Sequence, residues 1–188
     1  QAVRNANDGV SLLQTSDSSL NEITLLLTRA VTLAEQAASG TSGADGSDSK
    51  VALNDEFQDI LNEIERLSRS IEFNGLNLLG GASTGTSTGN PTLNIQVGLD
   101  ASAASRIDIN TVSINVRGTS TPGYTPGSPT QRISLQLGFS GATLVSSANA
   151  LSALATLQTA ISATARTRGD IGSGINRLRA TVSIISNL

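Results

Sequence analysis

The sequence predicts a mainly α protein, an elongated antiparallel helical bundle or coiled coil of N- and C-terminal helices, with a small β-hairpin region inserted in the middle. Three observations carry this. Apolar residues recur at steps of three and four near both ends of the chain and at steps of two in between, the helical and strand periods. Hydrophobic residues make up 38% of the chain but aromatics only 2%, so Leu, Ile, Val and Ala must supply the core, and these suit thin seams between helices. The length, 188 residues, fits one domain, ordinary or elongated. A single elongated domain is expected, with N-terminal helices and a turn over 1–79, the β-hairpin region over 80–142 and a long helix over 143–188.

Residues 10–38 read as a helix on the stripe Leu13, Leu20, Ile23, Leu27, Ala30, Ala34 and Ala37, with Ser16 in one polar slot. Asn7 and Asp8 are N-cap candidates, an earlier start being the alternative, and Gly40 after Ser39 is the expected stop. A polar loop over 40–49 leads to a second helix, 50–71, with Leu53, Phe57, Ile60, Ile64, Leu67 and Ile71 on one face and Asp55, Glu56, Asp59, Asn62, Glu63 and Arg66 on the other. So short a loop implies an antiparallel helical hairpin. Asn74-Gly75 predicts a tight turn, because both residues tolerate positive φ.

Residues 80–91 are too rich in Gly, Ser and Thr to pack. Alternation predicts strands over 92–98 and 106–116, and a third over 131–137, with a loop over 117–130 that holds three of the four Pro. The last helix, from about 143 to the end, has the stripe Ala150, Leu154, Leu157, Ile161, Thr164, Arg168, Ile171, Ile175, Leu178, Val182 and Ile185. Gly169, Gly172 and Gly174 each cost about 1 kcal/mol against Ala there, so either a kink or a close backbone approach is expected. Both ends read as cut from longer helices, and the absence of Met marks Gln1 as an internal residue.

The chain has no Cys and no His. Thiolate or imidazole metal sites, disulfides, a thiol nucleophile and an imidazole base are therefore excluded. A Ser nucleophile with a Lys base would have to use Lys50, the one Lys. No catalytic residue, cofactor or metal site is expected, and the chain is read as no enzyme. The net charge of −3 offers no polybasic surface for nucleic acid, and no apolar run reaches the ~20 residues of a membrane span. Charge is uneven, however: residues 1–79 hold five basic and twelve acidic side chains, and residues 80–188 hold seven Arg and three Asp. Either the ends pair, within a chain or between copies, or these are two solvated faces.

The motifs then resemble one family. QAVRNANDGVSLLQT (Gln1–Thr15) is similar to the bacterial flagellin signature QASRNANDGISxxQT. LNEITLLLTRAVTLAEQAASGT (Leu20–Thr41) and LNDEFQDILNEIERLSRSIEFNGLNLL (Leu53–Leu79) resemble its two following helices and FNG turn, LNIQVG (Leu93–Gly98) its hairpin strand, and RGDIGSGINRL (Arg168–Leu178) its closing-helix motif RAxLGAxQNRL. Ala30-Val31-Thr32 stands where the family has VRE, so one Arg–Glu pair is missing. The resemblance implies a core-domain fragment without the extreme terminal helices and large outer domains. Its implied role is a structural subunit of the flagellar filament, self-assembling for motility. The resemblance also implies secretion by type III export and an extracellular place in the filament. Its partners would be other flagellin subunits, as a homopolymer when the terminal helices are present, with the fragment itself monomeric. A hook–filament junction protein of the same helical plan is the alternative, and a zinc-protease insert is excluded because HExxH needs His.

Two groups of residues stand out. Leu26, Arg29 and Leu33 lie off the first stripe on a shared face, and Glu56 lies off the second seam. An exposed Leu–Arg–Leu strip is expected there, against the plain alternative that Leu26 and Leu33 pack under the third helix. By resemblance, Arg29, Leu33 and Glu56 fall at positions that face a neighbouring subunit and Toll-like receptor 5, in a receptor-active or a receptor-silent flagellin. Arg4, Asn5, Asn7, Asp8, Asn74, Gly75, Asn176 and Arg177 form the polar motif, implied to make structural hydrogen bonds or subunit contacts. Arg168, on the long seam, is expected to reach solvent or an acid on the first two helices. The Ser/Thr stretches at 83–88 and 119–130 are candidate O-glycan carriers or plain linkers.

Overall fold

A computed structural model of the chain describes residues 1–79, 93–96, 106–109, 112–115, 123–125 and 133–186. Helix α1 runs Ala2–Ala38, α2 Asp48–Ser70 and α3 Ser147–Ser186. At 1.5 Å per residue, α1 and α3 are rods of roughly 55–60 Å. They are antiparallel. Gly174 faces Leu13, Arg168 bonds Asp17, and Ser147 meets the loop beyond the far end of α1.

The buried stripe of α1 is longer than its large residues announce. Ala6, Gly9, Leu13, Ser16, Leu20, Ile23, Leu27, Ala30, Ala34 and Ala37 are all buried, at alternating steps of three and four. The helix therefore begins at Ala2, and Asn7 and Asp8 lie inside it rather than capping it. Ser16 enters the seam because its hydroxyl donates to the Leu12 carbonyl at 3.2 Å. Thr164 and Thr167 of α3 do the same to Ala160 and Ala163. Back-bonding lets small polar residues occupy a dry seam without an unsatisfied hydroxyl.

On α3 the seam differs from the expected stripe. Ala150, Ala153, Leu157, Ala160, Thr164, Thr167, Ile171 and Leu178 are buried, whereas Leu154, Ile161, Arg168, Ile175 and Val182 are half-buried. Leu157, Ile171 and Leu178 make the contact together with small residues, while the other large ones flank it. Gly174 belongs to the seam: a Cβ there would stand 3.1 Å from Leu13 Cδ1. Gly169 and Gly172 have nothing within 4 Å of that position.

α1 ends at Ser39, whose extended backbone (φ −66°, ψ 135°) and side chain, accepting from the Thr41 N–H, turn the chain into a 3-10 turn at Gly40–Ser42. The expected glycine stop is corrected accordingly: Gly40 is not in the left-handed region, and Ser39 does the capping. Helix α2 buries Lys50, Leu53, Phe57, Ile60, Leu61 and Ile64. It is followed by the ribbon β1 (Glu72–Phe73) and β2 (Leu76–Asn77), closed as expected by Asn74 (φ 51°) and Gly75 (φ 76°).

Strand β3 (Leu93–Gln96) pairs antiparallel with β4 (Arg106–Ile109). The single strand expected over 106–116 is two. β5 (Val112–Asn115) joins a different sheet of order β5-β7-β6, parallel to β7 (Ile133–Gln136), which is antiparallel to β6 (Gly123–Thr125). The β6 strand falls inside the stretch read as a loop over 117–130. Residues 80–91 and the rest of that loop, with the candidate glycan carriers, lie outside the described residues.

The last helix starts at Ser147, not near 143. Residues 137–146 instead form a strap across α2. Phe139 meets Phe57 edge-on, centroids 6.4 Å apart at 88°. The Gln58 amide donates to the Ala142 carbonyl at 2.8 Å, and the Leu144 N–H donates to Asn54 Oδ1 at 3.0 Å. Gly141 (φ 71°) permits the turn that the Ala142 N–H closes onto Phe139 O.

Candidate functional site

The face shared by α1 and α2 is built by Leu26, Arg29, Leu33 and Glu56. Arg29 Nε donates to Glu56 Oε1 at 2.9 Å, and both side chains are about half exposed (57% and 45%). The pair joins the two helices at the surface. Leu33 is only 2% exposed and Leu26 is half-buried against the core. The expected exposed Leu–Arg–Leu strip is therefore corrected. Its leucines turn into the core, and the charged pair alone stands out. Four large apolar side chains are exposed elsewhere among the described residues: Leu25, Val51, Leu151 and Ile184.

The polar motif does not converge on one point. Asn5 Nδ2 donates to the Gln96 carbonyl at 2.9 Å, tying the start of α1 to β3. Arg4, Asn7, Asp8, Asn176 and Arg177 are exposed on the helices. Asn74 and Gly75 form the exposed ribbon turn. Arg168 does what its seam position demands. Its Nε and Nη2 donate to Asp17 Oδ1 and Oδ2 at 2.8 and 3.3 Å, and Nη1 to Asn21 Oδ1 at 3.1 Å. The Asp17 bond raises the guanidinium pKa above its ordinary value.

One cluster went unread in the sequence. Lys50 is 1% exposed, and its Nζ donates to Asp45 Oδ1 and Ser147 Oγ, each at 2.7 Å. The Ser147 N–H also donates to Asp45 Oδ1, at 2.9 Å, and the Gly46 N–H to the Val145 carbonyl at 2.8 Å. Asp45 thus satisfies a free N–H at the start of α3 while neutralising a buried ammonium. Both contacts hold its carboxyl below the ordinary carboxylate pKa, the Lys50 hydrogen bond contributing most. The available signal was Lys50's place on the α2 stripe, three residues before Leu53.

Among the described residues no group of three or more His, Cys, Asp or Glu could hold a metal ion, and no helix is long and apolar enough to cross a membrane. The one Lys, Lys50, does reach a Ser hydroxyl, Ser147 Oγ, but as the donor, with Asp45 as its second partner. What the geometry offers is surface: a helical rod with a clasped end, a cross-helix ion pair and a polar opposite end.

Known proteins match this plan. The bacterial flagellin N-terminal helical region matches residues 1–84. A flagellin of Salmonella muenchen is 40% identical over 118 residues, 63% of this chain and 21% of that protein. A flagellin of Halalkalibacterium halodurans is 27% identical over 187 residues, all of this chain and 58% of that protein. The chain thus spans about a fifth and somewhat over half of these relatives' lengths. The crystal structure of Bacillus cereus flagellin superposes with a TM-score of 0.70 at 26% identity, covering 96% of this chain and 88% of that one. With its N-terminal helices matched by sequence and nearly its whole length matched in fold, the chain is similar to bacterial flagellins.

Proposed function

We propose that the chain is a structural subunit of the bacterial flagellar filament, secreted through the flagellar export apparatus and assembled outside the cell with other copies of itself. The single observation that carries this reading is the flagellin fold over 96% of the chain. The test replaces the matching region of the Halalkalibacterium halodurans flagellin with this chain and seeds the chimera with filament fragments. Long filaments are expected. A folded, helical chimera that does not elongate seeds overturns the subunit reading and favours a junction protein. The chain alone stays monomeric at physiological ionic strength, since its exposed large apolar residues are scattered; light scattering showing long polymers contradicts this.

The Arg29–Glu56 face favours a second role, as a ligand surface for Toll-like receptor 5. Its support is the family resemblance at Arg29, Leu33 and Glu56 together with an exposed charged pair held between two helices. Leu33 acts from beneath, by fixing that flank of α1. Arg29→Ala should weaken the reporter response of receptor-bearing cells at unchanged helix content. A silent wild type makes this a receptor-silent flagellin.

A further inference from the structure

The turn after α2 carries a chemistry that packing does not use. Of all the asparagines in the chain, only Asn74 is followed by glycine. Asn74 and Gly75 are both exposed at the tip of the β1–β2 ribbon, in the left-handed region at φ 51° and 76°. An asparagine in that context can lose its side-chain amide nitrogen. The next backbone nitrogen attacks Cγ, and glycine has no Cβ to hinder the approach. The closed turn prevents this. A left-handed residue has ψ of about +47°, which sets the following nitrogen nearly anti to Cβ and so far from Cγ. The protection is only as good as the ribbon, however. β1 and β2 pair over two residues each, Phe73 with Leu76 and Glu72 with Asn77. A ribbon that short is marginal by itself. Its base is firmer: the Leu78 N–H donates to the Ile71 carbonyl at 2.9 Å, Leu78 and Leu79 are buried, and Phe73 packs half-buried against the core. The tip can therefore open while the base and α2 stay in place.

We propose that Asn74 is a spontaneous deamidation site gated by the opening of this ribbon, with water as the co-reactant. In the open ribbon the Gly75 nitrogen, having given its proton to hydroxide, bonds to Asn74 Cγ. The Cγ–Nδ2 bond breaks, and the leaving nitrogen takes a proton from water and departs as ammonia. Water then opens the five-membered ring. Addition at Cγ leaves aspartate, and addition at the main-chain carbonyl leaves isoaspartate. Nothing is oxidised or reduced: water enters and ammonia leaves. Either product places a new carboxylate two residues from exposed Glu72. Isoaspartate also lengthens the turn by one backbone atom, so Phe73 and Leu76 no longer face each other across a two-residue loop. A transient fraying of the ribbon is thereby made permanent. The step needs only this chain and water, so it is independent of assembly with other copies.

The test incubates the chain in mildly alkaline heavy-oxygen water, folded and in guanidinium chloride, and follows it by mass spectrometry with peptide mapping. In denaturant, Asn74 should be the first asparagine modified, each product carrying heavy oxygen from the water. The folded chain should react at Asn74 at least about tenfold more slowly, since only the open fraction is competent. Phe73→Gly removes the ribbon's apolar anchor and should raise the folded rate several-fold at unchanged helix content. If that variant loses helix content, Leu76→Gly on the facing strand replaces it, with the same expectation. Equal rates folded and in denaturant overturn the proposal. So does a folded rate that the ribbon variant leaves at the wild-type value, or an Asn74 that stays intact in denaturant.

Discussion

Along the α1–α3 seam small buried side chains are interspersed among the large ones, with Ala6, Gly9, Ser16 and Ala30 among Leu13, Leu20, Ile23 and Leu27 on one helix and Ala153, Ala160 and Thr167 among Leu157, Ile171 and Leu178 on the other, Gly174 lying at its edge. Beneath α2 they are large: Phe57, Leu61, Ile64 and Phe139 are all at most 2% exposed. The same chain therefore holds itself together in two ways. The narrow seam gains from close, repeated contact between helices, and so it is intolerant of added volume. The wide layer gains from apolar area per side chain, and so it is intolerant of lost volume.

The largest effect follows from the wide layer. Phe57→Ala removes a fully buried ring together with its edge contact to Phe139, and should cost about 3–5 kcal/mol in chemical denaturation. A loss under 1 kcal/mol would mean that the strap of residues 137–146 does not rest on α2 as described.

Next is the clasp. Lys50→Ala leaves Ser147 Oγ and Asp45 without their shared cation and should cost about 1–3 kcal/mol. It should also alter the acid limb of stability. The Asp45 carboxyl has a lowered folded-state pKa, so its contribution is full above the ordinary carboxylate value and is lost as pH falls through the folded value. Wild type and Lys50→Ala should therefore converge in stability as the solution is acidified below that range. A gap that is constant with pH would contradict the assignment.

Among the glycines, Gly169→Ala and Gly172→Ala meet open space and should each stabilise by up to about 1 kcal/mol. Gly174→Ala crowds Leu13 and should gain less or lose. Thermal midpoints of the three variants give the order directly. The smallest effect is at the surface, where Arg29→Ala should cost about 0.2–1 kcal/mol of stability, as exposed ion pairs do.

Much of this was legible in the residues, with a physical reason for each miss. The α1 stripe from Leu13 to Ala37 and the α2 stripe from Leu53 to Ile64 stand out because large apolar residues recur on them. Ala6 and Gly9 extend the seam silently, being too small to mark a period. On α3, apolar size pointed to Leu154, Ile161, Ile175 and Val182, but the distance between two helices decides which stripe is central, and there Ala153, Ala160 and Thr167 fit. Leu33 looked exposed because it lies off the α1–α3 seam, yet α1 has two partners and needs two apolar faces. The β6 strand hid among prolines, since pairing with β7 is a tertiary fact. The surface residues Arg29 and Glu56 were both picked out, whereas their hydrogen bond depends on the crossing of two helices.

The contrast between seam and layer is tested most directly by two neighbours on α3, Ala160 and Ile161, compared in denaturant midpoint as Ala160→Leu and Ile161→Ala. Ala160 is fully buried in the seam and Ile161 half-buried beside it. The account predicts that Ala160→Leu costs about 1–3 kcal/mol and that Ile161→Ala costs less. A tolerated Ala160→Leu, with Ile161→Ala losing about 2–5 kcal/mol, would put the flanking large residues at the centre of the contact and contradict it.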